Sequence, residues 1–312
     1  MKKIIQVLSL FLMGAAITAN ATDSKGWATT DESLDAFYKI NNRSGYVKPI
    51  IDNVGNVLNS NWYASASIPK SFAFEAGLPF ALVPIASGDK VYRQKALLST
   101  IELPTIFGDK GLPYDVSKIY GNETLNSLPL FTYPYLQMAF SYYHARLVLR
   151  GMWLPPISEL KGFSLLGIGA QYSFGHLFQK QLPPVLQTLD VSVVFGYSSS
   201  TIKYQPKTHN GPLVLDLTGI IADLVIGYKP IKEMELMLTV GYQYANMESS
   251  GKRNVLSPDY DLAVKGNCGF KFGFEVAFTL GNSFHPVIGF DYSGKSSFTT
   301  NILYFQQQFG KG

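Results

Sequence analysis

Gly269-Phe270-Lys271-Phe272-Gly273-Phe274-Glu275-Val276-Ala277-Phe278-Thr279-Leu280 decides the fold. Successive residues of a strand point to opposite faces, so Phe270, Phe272, Phe274, Val276, Phe278 and Leu280 share one side and Lys271, Gly273, Glu275, Ala277 and Thr279 the other. In a soluble sandwich a second sheet would cover so oily a face. Repeated on segment after segment, in a chain with a secretion signal, the pattern points to lipid outside and a polar lumen inside.

The period of two recurs on both sides of this stretch. Phe72, Phe74, Ala76, Leu78 and Phe80 oppose Ala73, Glu75 and Gly77; Leu136, Met138, Phe140 and Tyr142 oppose Gln137, Ala139 and Ser141; Leu147, Leu149 and Trp153 oppose Arg146, Val148 and Arg150. Segments 166–174, 191–197, 224–228, 236–244 and 288–292 read alike, and a last strand runs through 298–309. Weaker strands at 96–103, 199–204 and 214–221 bring the expected count to about twelve, with ten to fourteen allowed and an even number required. The fold class is therefore all-β: an antiparallel transmembrane β-barrel preceded by an amphipathic helix.

The helix is read from a change of period. Val47, Ile50, Ile51, Val54, Val57 and Leu58 recur at three and four between Tyr46 and Trp62, with Pro49 tolerable in a first turn. Little basic charge is available to hold this helix on anionic lipid, so it is expected at the periplasmic mouth or inside the lumen. Before it, Lys2 and Lys3, an apolar run from Ile4 to Ile17 and Ala19-Asn20-Ala21 form a secretory signal cleaved after Ala21. The expected organisation is a signal peptide at 1–21, a polar segment and helix at 22–62 and the barrel at 63–312.

Composition narrows the class further. The chain is 46% hydrophobic and 14% aromatic but only 15% charged, and no later segment has an apolar run long enough for a membrane helix. Its net charge of +4 is spread along the chain, which gives no warrant for nucleic acid as a partner. The single cysteine, Cys268, allows no internal disulfide and is expected to be buried. The stretch 104–130 has Gly and Pro at intervals and little periodicity, as a long loop over or into the mouth would.

The wet faces carry Glu75, Arg146, Arg150, Asp223, Glu235, Lys271, Glu275 and Asp291. Paired, these eight form an interior network; unpaired and ringed, they set the selectivity of a water-filled pore. No constellation for catalysis is present: Ser173 and His176 are three apart, on opposite faces of a strand, and there is neither G-x-S-x-G nor H-E-x-x-H. Catalytic residues, cofactors and metal sites are accordingly expected to be absent. Gly-rich pieces such as Gly167-Ile168-Gly169 indicate close packing against the backbone rather than phosphate binding.

Leu103-Pro104-Thr105-Ile106-Phe107-Gly108, Leu149-Arg150-Gly151-Met152-Trp153-Leu154-Pro155 and Gly167-Ile168-Gly169-Ala170-Gln171-Tyr172-Ser173, after a helix ending Leu58-Asn59-Ser60-Asn61-Trp62, resemble an uncharacterised family of Bacteroidetes-type outer-membrane barrels. In plan, an N-terminal helical segment before a barrel, the chain is similar to the long-chain fatty-acid transporter family, whose N-terminal segment plugs the lumen and whose substrate is apolar. The resemblance implies the bacterial outer membrane as location, with outer-membrane lipid, the barrel assembly machinery and a small apolar ligand as partners. The favoured function is a channel or transporter for small, hydrophobic molecules. The alternatives are a non-conducting structural or secretion-accessory barrel and a soluble secreted β-sandwich.

Overall fold

The computed structural model describes residues 43–309 except 96–99, 110–125, 127, 133–134, 157–159, 206–210, 252–259, 282 and 302–303. The expected signal peptide and the polar stretch before residue 43 lie outside the described residues. Helix α1 (Arg43–Leu58) precedes β1 (Phe72–Gly77), β2 (Phe80–Pro84), β3 (Val91–Lys95), β4 (Thr100–Pro104), β5 (Leu130–Phe131), β6 (Leu136–Tyr142), β7 (Ala145–Leu154) and β8 (Leu160–Ser173). A short helix α2 (Gly175–Phe178) leads to β9 (Leu189–Tyr204), β10 (Leu213–Ile231), β11 (Met234–Gly251), β12 (Tyr260–Lys265), β13 (Gly269–Phe278), β14 (Val287–Tyr292), β15 (Ser296–Asn301) and β16 (Tyr304–Phe309).

Several of these segments are halves of one interrupted strand. The β1–β6 register, Ala73 opposite Ser141, continues without slip into β2–β5, where Val83 faces Phe131. The β1–β16 ladder, Phe72 opposite Phe309, slips by one residue before β2–β15, where Phe80 faces Thr300. Likewise β12 and β13 both pair with β11 on either side of an irregularity at 266–268. Merged in this way, the described strands form one antiparallel ring of ten. The first strand pairs with both the second and the last, and the sheet closes on itself.

Ten lies at the lower end of the expected range because two of the weak strands are not separate. Segments 199–204 and 214–221 are parts of β9 and β10, which run for 16 and 19 residues. The segment expected at 96–103 contributes β4, which pairs with β3 in a hairpin outside the ring.

The rows of large side chains face outward. Phe270 is 82% exposed, Leu166 69% and Phe195 59%, as lipid-facing residues of a transmembrane barrel are. Covering each such side chain is worth about 1.5–3 kcal/mol, so a ring of them left in water would be strongly unfavourable. The two-residue hairpins Tyr143-His144 and Lys232-Glu233 mark one rim, where β1 also starts and β16 ends. Strands β2, β9 and β11 end, and β5, β10 and β12 begin, at the opposite, loop rim.

The hydrophobic core of this barrel is its lumen. Tyr46, Ile51, Val54 and Leu58 of α1 pack with Val83, Leu165, Leu217 and Met247 of the wall. The start of the helix lies near the loop rim: Ile106 N–H donates to the Tyr46 carbonyl at 3.1 Å, and Lys295 Nζ to Asn53 Oδ1 at 2.8 Å. The helix ends at Leu58, short of the expected Trp62, where Ser60 N–H bonds Val57 O in a tighter turn and Asn61 adopts a φ of 57°, a value asparagine tolerates. From there the chain descends to the turn rim, where the carbonyls of Lys70 and Pro69 accept hydrogen bonds from Tyr143 and His144. The helix lies inside the lumen, in the half toward the loops. The reason is topological: β1 begins at the turn rim, and residues 59–70 use up the barrel's length in reaching it.

Candidate functional site: a threaded lumen

Residues 43–70 thread the barrel once, and the wall holds them by side chains directed at the segment's own backbone. Arg150, 4% exposed, donates from Nη2 to Ser60 O at 2.6 Å, from Nη1 to Leu58 O at 3.1 Å and from Nε to Gln137 Oε1 at 2.7 Å. Its guanidinium lies 3.5 Å from the centre of the Trp62 ring and 4.8 Å from that of Tyr135. Tyr135 in turn donates its hydroxyl to Ser60 O at 3.1 Å. These bonds satisfy the carbonyls left open where the helix stops.

Trp62 needs glycine around it. A Cβ on Gly169 would lie 2.6 Å from the indole, one on Gly196 2.5 Å and one on Gly167 3.2 Å. The Gly167-Ile168-Gly169 pair therefore packs closely, but against a side chain of the threaded segment. Trp62 Nε1–H donates back to Leu58 O at 3.2 Å, so the ring is fixed from within its own segment as well.

Below it, Arg146 binds Glu75 at 2.6 Å, Trp62 O at 3.1 Å, Gln171 Oε1 at 3.2 Å and the Tyr304 hydroxyl at 2.8 Å. Tyr304 also donates its hydroxyl to Glu75. Glu235 accepts from Ala66 N–H at 2.9 Å and Ser65 Oγ at 2.7 Å, with Lys229 Nζ 3.5 Å away. Across the lumen Lys271 Nζ donates to Asn59 O at 3.2 Å and to Asp223 at 3.1 Å, and lies 3.6 Å from Asp291. Glu275 leans over Gly289 beside Thr299, and Asp291 over Gly273; an acid set opposite a glycine on the next strand is a repeated device on this wall.

All eight charged residues read from the wet faces point inward and are buried. Arg146, Arg150, Lys271 and Glu235 bind the threaded segment directly; Glu75, Asp223 and Asp291 hold Arg146 and Lys271 in place. The sequence reading missed the backbone acceptors on the segment, Leu58, Asn59, Ser60 and Trp62. It also missed the buried asparagines. Asn53, Asn56 and Asn59 recur at three along α1 and just past its end, and face polar wall groups: Gln243 Nε2 and Ser293 Oγ donate to Asn56 Oδ1 at 3.0 and 2.8 Å. That spacing was the available signal.

Among the shifted titratable groups outside the strands are Asp52 and His285. Burial raises Asp52 above the usual carboxylate range, although Lys48 donates to it at 2.6 Å. Burial lowers the His285 imidazole; Glu75 opposes this and Lys229 adds to it. His285 borders a polar cavity of about 220 Å³ beneath the threaded segment, lined also by Ser65, Glu75, Arg146, Lys229 and Glu235. Ser173 donates its hydroxyl to Asp190 at 2.8 Å while His176 stacks on His144, so serine and histidine do not meet. No group of three or more His, Cys, Asp or Glu placed to hold a metal occurs among the described residues. Cys268 is exposed, against expectation, because the irregularity at 266–268 turns it out of the lumen.

Fold and site together define a closed antiparallel barrel of the outer-membrane type, threaded by its own N-terminal segment. The chain belongs to a family of unknown function, DUF6588, whose profile matches residues 1–308. No curated protein matches it. Among solved structures, the attachment invasion locus protein Ail of Yersinia pestis is 8% identical at a TM-score of 0.32, over 77% of this chain and 100% of that one. The translocator domain of the autotransporter NalP from Neisseria meningitidis is 9% identical at 0.31, over 92% and 100%. The Ralstonia pickettii toluene transporter TbuX is 8% identical at 0.27, over 80% and 92%. The barrel assignment rests on the strand pairing itself.

Proposed function

We propose that the protein is a bacterial outer-membrane barrel, turn rim toward the periplasm, that is closed to solutes in its resting state and serves as a structural or partner-binding barrel. The two-residue hairpins at one rim and the long β2–β5 connection at the other support this orientation. One observation carries the closed reading: Arg146, Arg150 and Lys271 each donate to backbone carbonyls of the threaded segment, and their other donors go to wall side chains. Such charges cannot also line an aqueous path. A liposome-swelling assay tests the reading. Wild-type protein should give no swelling with small sugars, and a variant lacking residues 43–62 should give rapid swelling; swelling by the wild type would refute a closed barrel.

A second reading has its own support. The loop-side half of the lumen is lined by Phe163, Leu165, Leu213, Leu217 and Met247, all buried against α1. Were the helix to withdraw, an apolar chamber would open, suited to a small hydrophobic ligand as a gated transporter requires. Apolar molecules extracted from purified wild-type protein would favour this reading over the first.

A further inference from the structure

We propose that the outer face of β6–β9 near the turn rim binds one anionic phospholipid, with an acyl chain in a trough floored by Ala145 and Ala170 and the headgroup phosphate against Lys70, His144 and His176. It rests on the membrane reading of the barrel and not on whether the lumen conducts.

The trough follows from the strand register. One row across the sheet runs Tyr142, Ala145, Tyr172, Val193 and the next runs Phe140, Leu147, Ala170, Phe195. Each row contains one alanine between large neighbours, and the two alanines lie diagonally, leaving an apolar groove of about 450 Å³ on the lipid-facing side.

The rim above the groove is built at a cost. Tyr143 and His144, the two central residues of the β6–β7 hairpin, have φ values of 49° and 66°. A hairpin with both central residues at positive φ is ordinarily filled by Asn-Gly, and bulky side chains there are strained. Strain of this kind persists where neighbours enforce it, and it concentrates at ligand clamps. Here the neighbours are those of the proposed headgroup site. The His144 ring stacks on His176 at 4.1 Å, and Lys70 Nζ lies 5.7 Å from the centre of the Tyr143 ring.

Charge and immersion agree. The β8–β9 connection, residues 174–188, carries His176 and Lys180 and no carboxylate. The acid that follows it, Asp190, is 4% exposed and turned inward onto Ser173 Oγ and Gly175 N–H. The same connection exposes Leu177 and Val185, 62% and 71%, as a segment lying in the headgroup layer does. A cationic, aromatic rim directly beside an apolar trough fits a phosphate with an attached acyl chain.

Native mass spectrometry of the detergent-purified full chain, titrated with palmitoyl-oleoyl phosphatidylglycerol or the matching phosphatidylcholine, tests the site. The wild type should retain one phosphatidylglycerol at least fivefold more than phosphatidylcholine. Ala170→Phe, which fills the trough from the lipid side, should lower retention of both lipids at least fivefold. Lys70→Ala and the double change Tyr143→Asn, His144→Gly should reduce phosphatidylglycerol to the phosphatidylcholine level. The double variant should melt no lower than wild type, since it relieves the strained turn. Heat-modifiable migration on a gel confirms that each variant is folded. Equal retention of the two lipids by the wild type, or undiminished retention by Ala170→Phe, would overturn the proposal.

Discussion

The Arg150 guanidinium lies 3.5 Å from the centre of the Trp62 ring, and it hydrogen-bonds the carbonyls of Leu58 and Ser60 on either side of the helix end. One wall residue thus grips the threaded segment by ring and backbone at once. Its acceptors include two plug carbonyls and Gln137, where a purely ionic network would have offered carboxylates. Arg150→Ala removes the charged donor from both carbonyls, which keep Trp62 Nε1–H and the Tyr135 hydroxyl, so the loss is that of hydrogen bonds to a charged group, about 1.5–3 kcal/mol each. Equilibrium unfolding in urea from lipid vesicles should show a loss of that order, and an unchanged midpoint would mean the grip contributes nothing.

Gly169 and Trp62 should be coupled. Valine at 169 places its Cβ where the indole is now, an overpacking that costs about 1–3 kcal/mol and displaces the segment. Trp62→Ala should itself destabilise, yet the double variant should be more stable than the sum of the two single losses predicts, by a coupling of about 0.5–3 kcal/mol. Strict additivity in the double-mutant cycle would show that the two do not meet.

The Arg146–Glu75 ion pair also holds the segment and is enclosed, with both side chains at most 5% exposed. Removing one partner of such a pair costs about 3–5 kcal/mol because the other charge stays buried. Glu75→Ala should therefore lower stability by that amount while leaving insertion into the membrane intact, and denaturant melts of folded protein check it.

Topology gives a prediction that can be read in whole cells. Lys48, exposed near the start of α1, belongs to the loop side, whereas Lys232 belongs to the turn rim. In a Cys268→Ser background, needed because Cys268 is itself exposed, cysteine at 48 should react with a membrane-impermeant maleimide added outside the cells. Cysteine at 232 should react only after the outer membrane is opened. The reverse labelling would place the helix at the periplasmic mouth.

Much of this architecture could be read from side-chain alternation. The Phe270 to Leu280 rows assigned the outer face, and the charges interleaved with them fall on the buried face, because a period of two fixes the face of each residue. Strand number was less legible. Ser198, Ser199, Ser200 and Thr201 look like a break, yet main-chain pairing carries β9 through them. The depth of the helix was not legible at all, since it depends on which rim β1 starts from. Nor did the period reveal what the lumen charges bind: backbone carbonyls leave no mark in the sequence.

His285 makes one contribution of definite sign to the acid response. Burial lowers its folded pKa below the unfolded value of about 6.5, so the folded state binds fewer protons. The stability associated with a neutral His285 is therefore complete above about pH 6.5 and declines as pH falls below it. His285→Gln should flatten the fall in melting temperature between about pH 7 and pH 5; an identical profile would assign the decline to other groups.

Hydrogen–deuterium exchange of the folded, detergent-solubilised full chain tests most directly whether residues 46–66 are fixed inside the barrel. A segment gripped by Arg146, Arg150, Lys271 and Glu235 should exchange its amides no faster than the wall strands β10 and β11. Complete exchange of 46–66 within the shortest labelling time, while β10 and β11 remain protected, would show that the lumen is not closed by this segment.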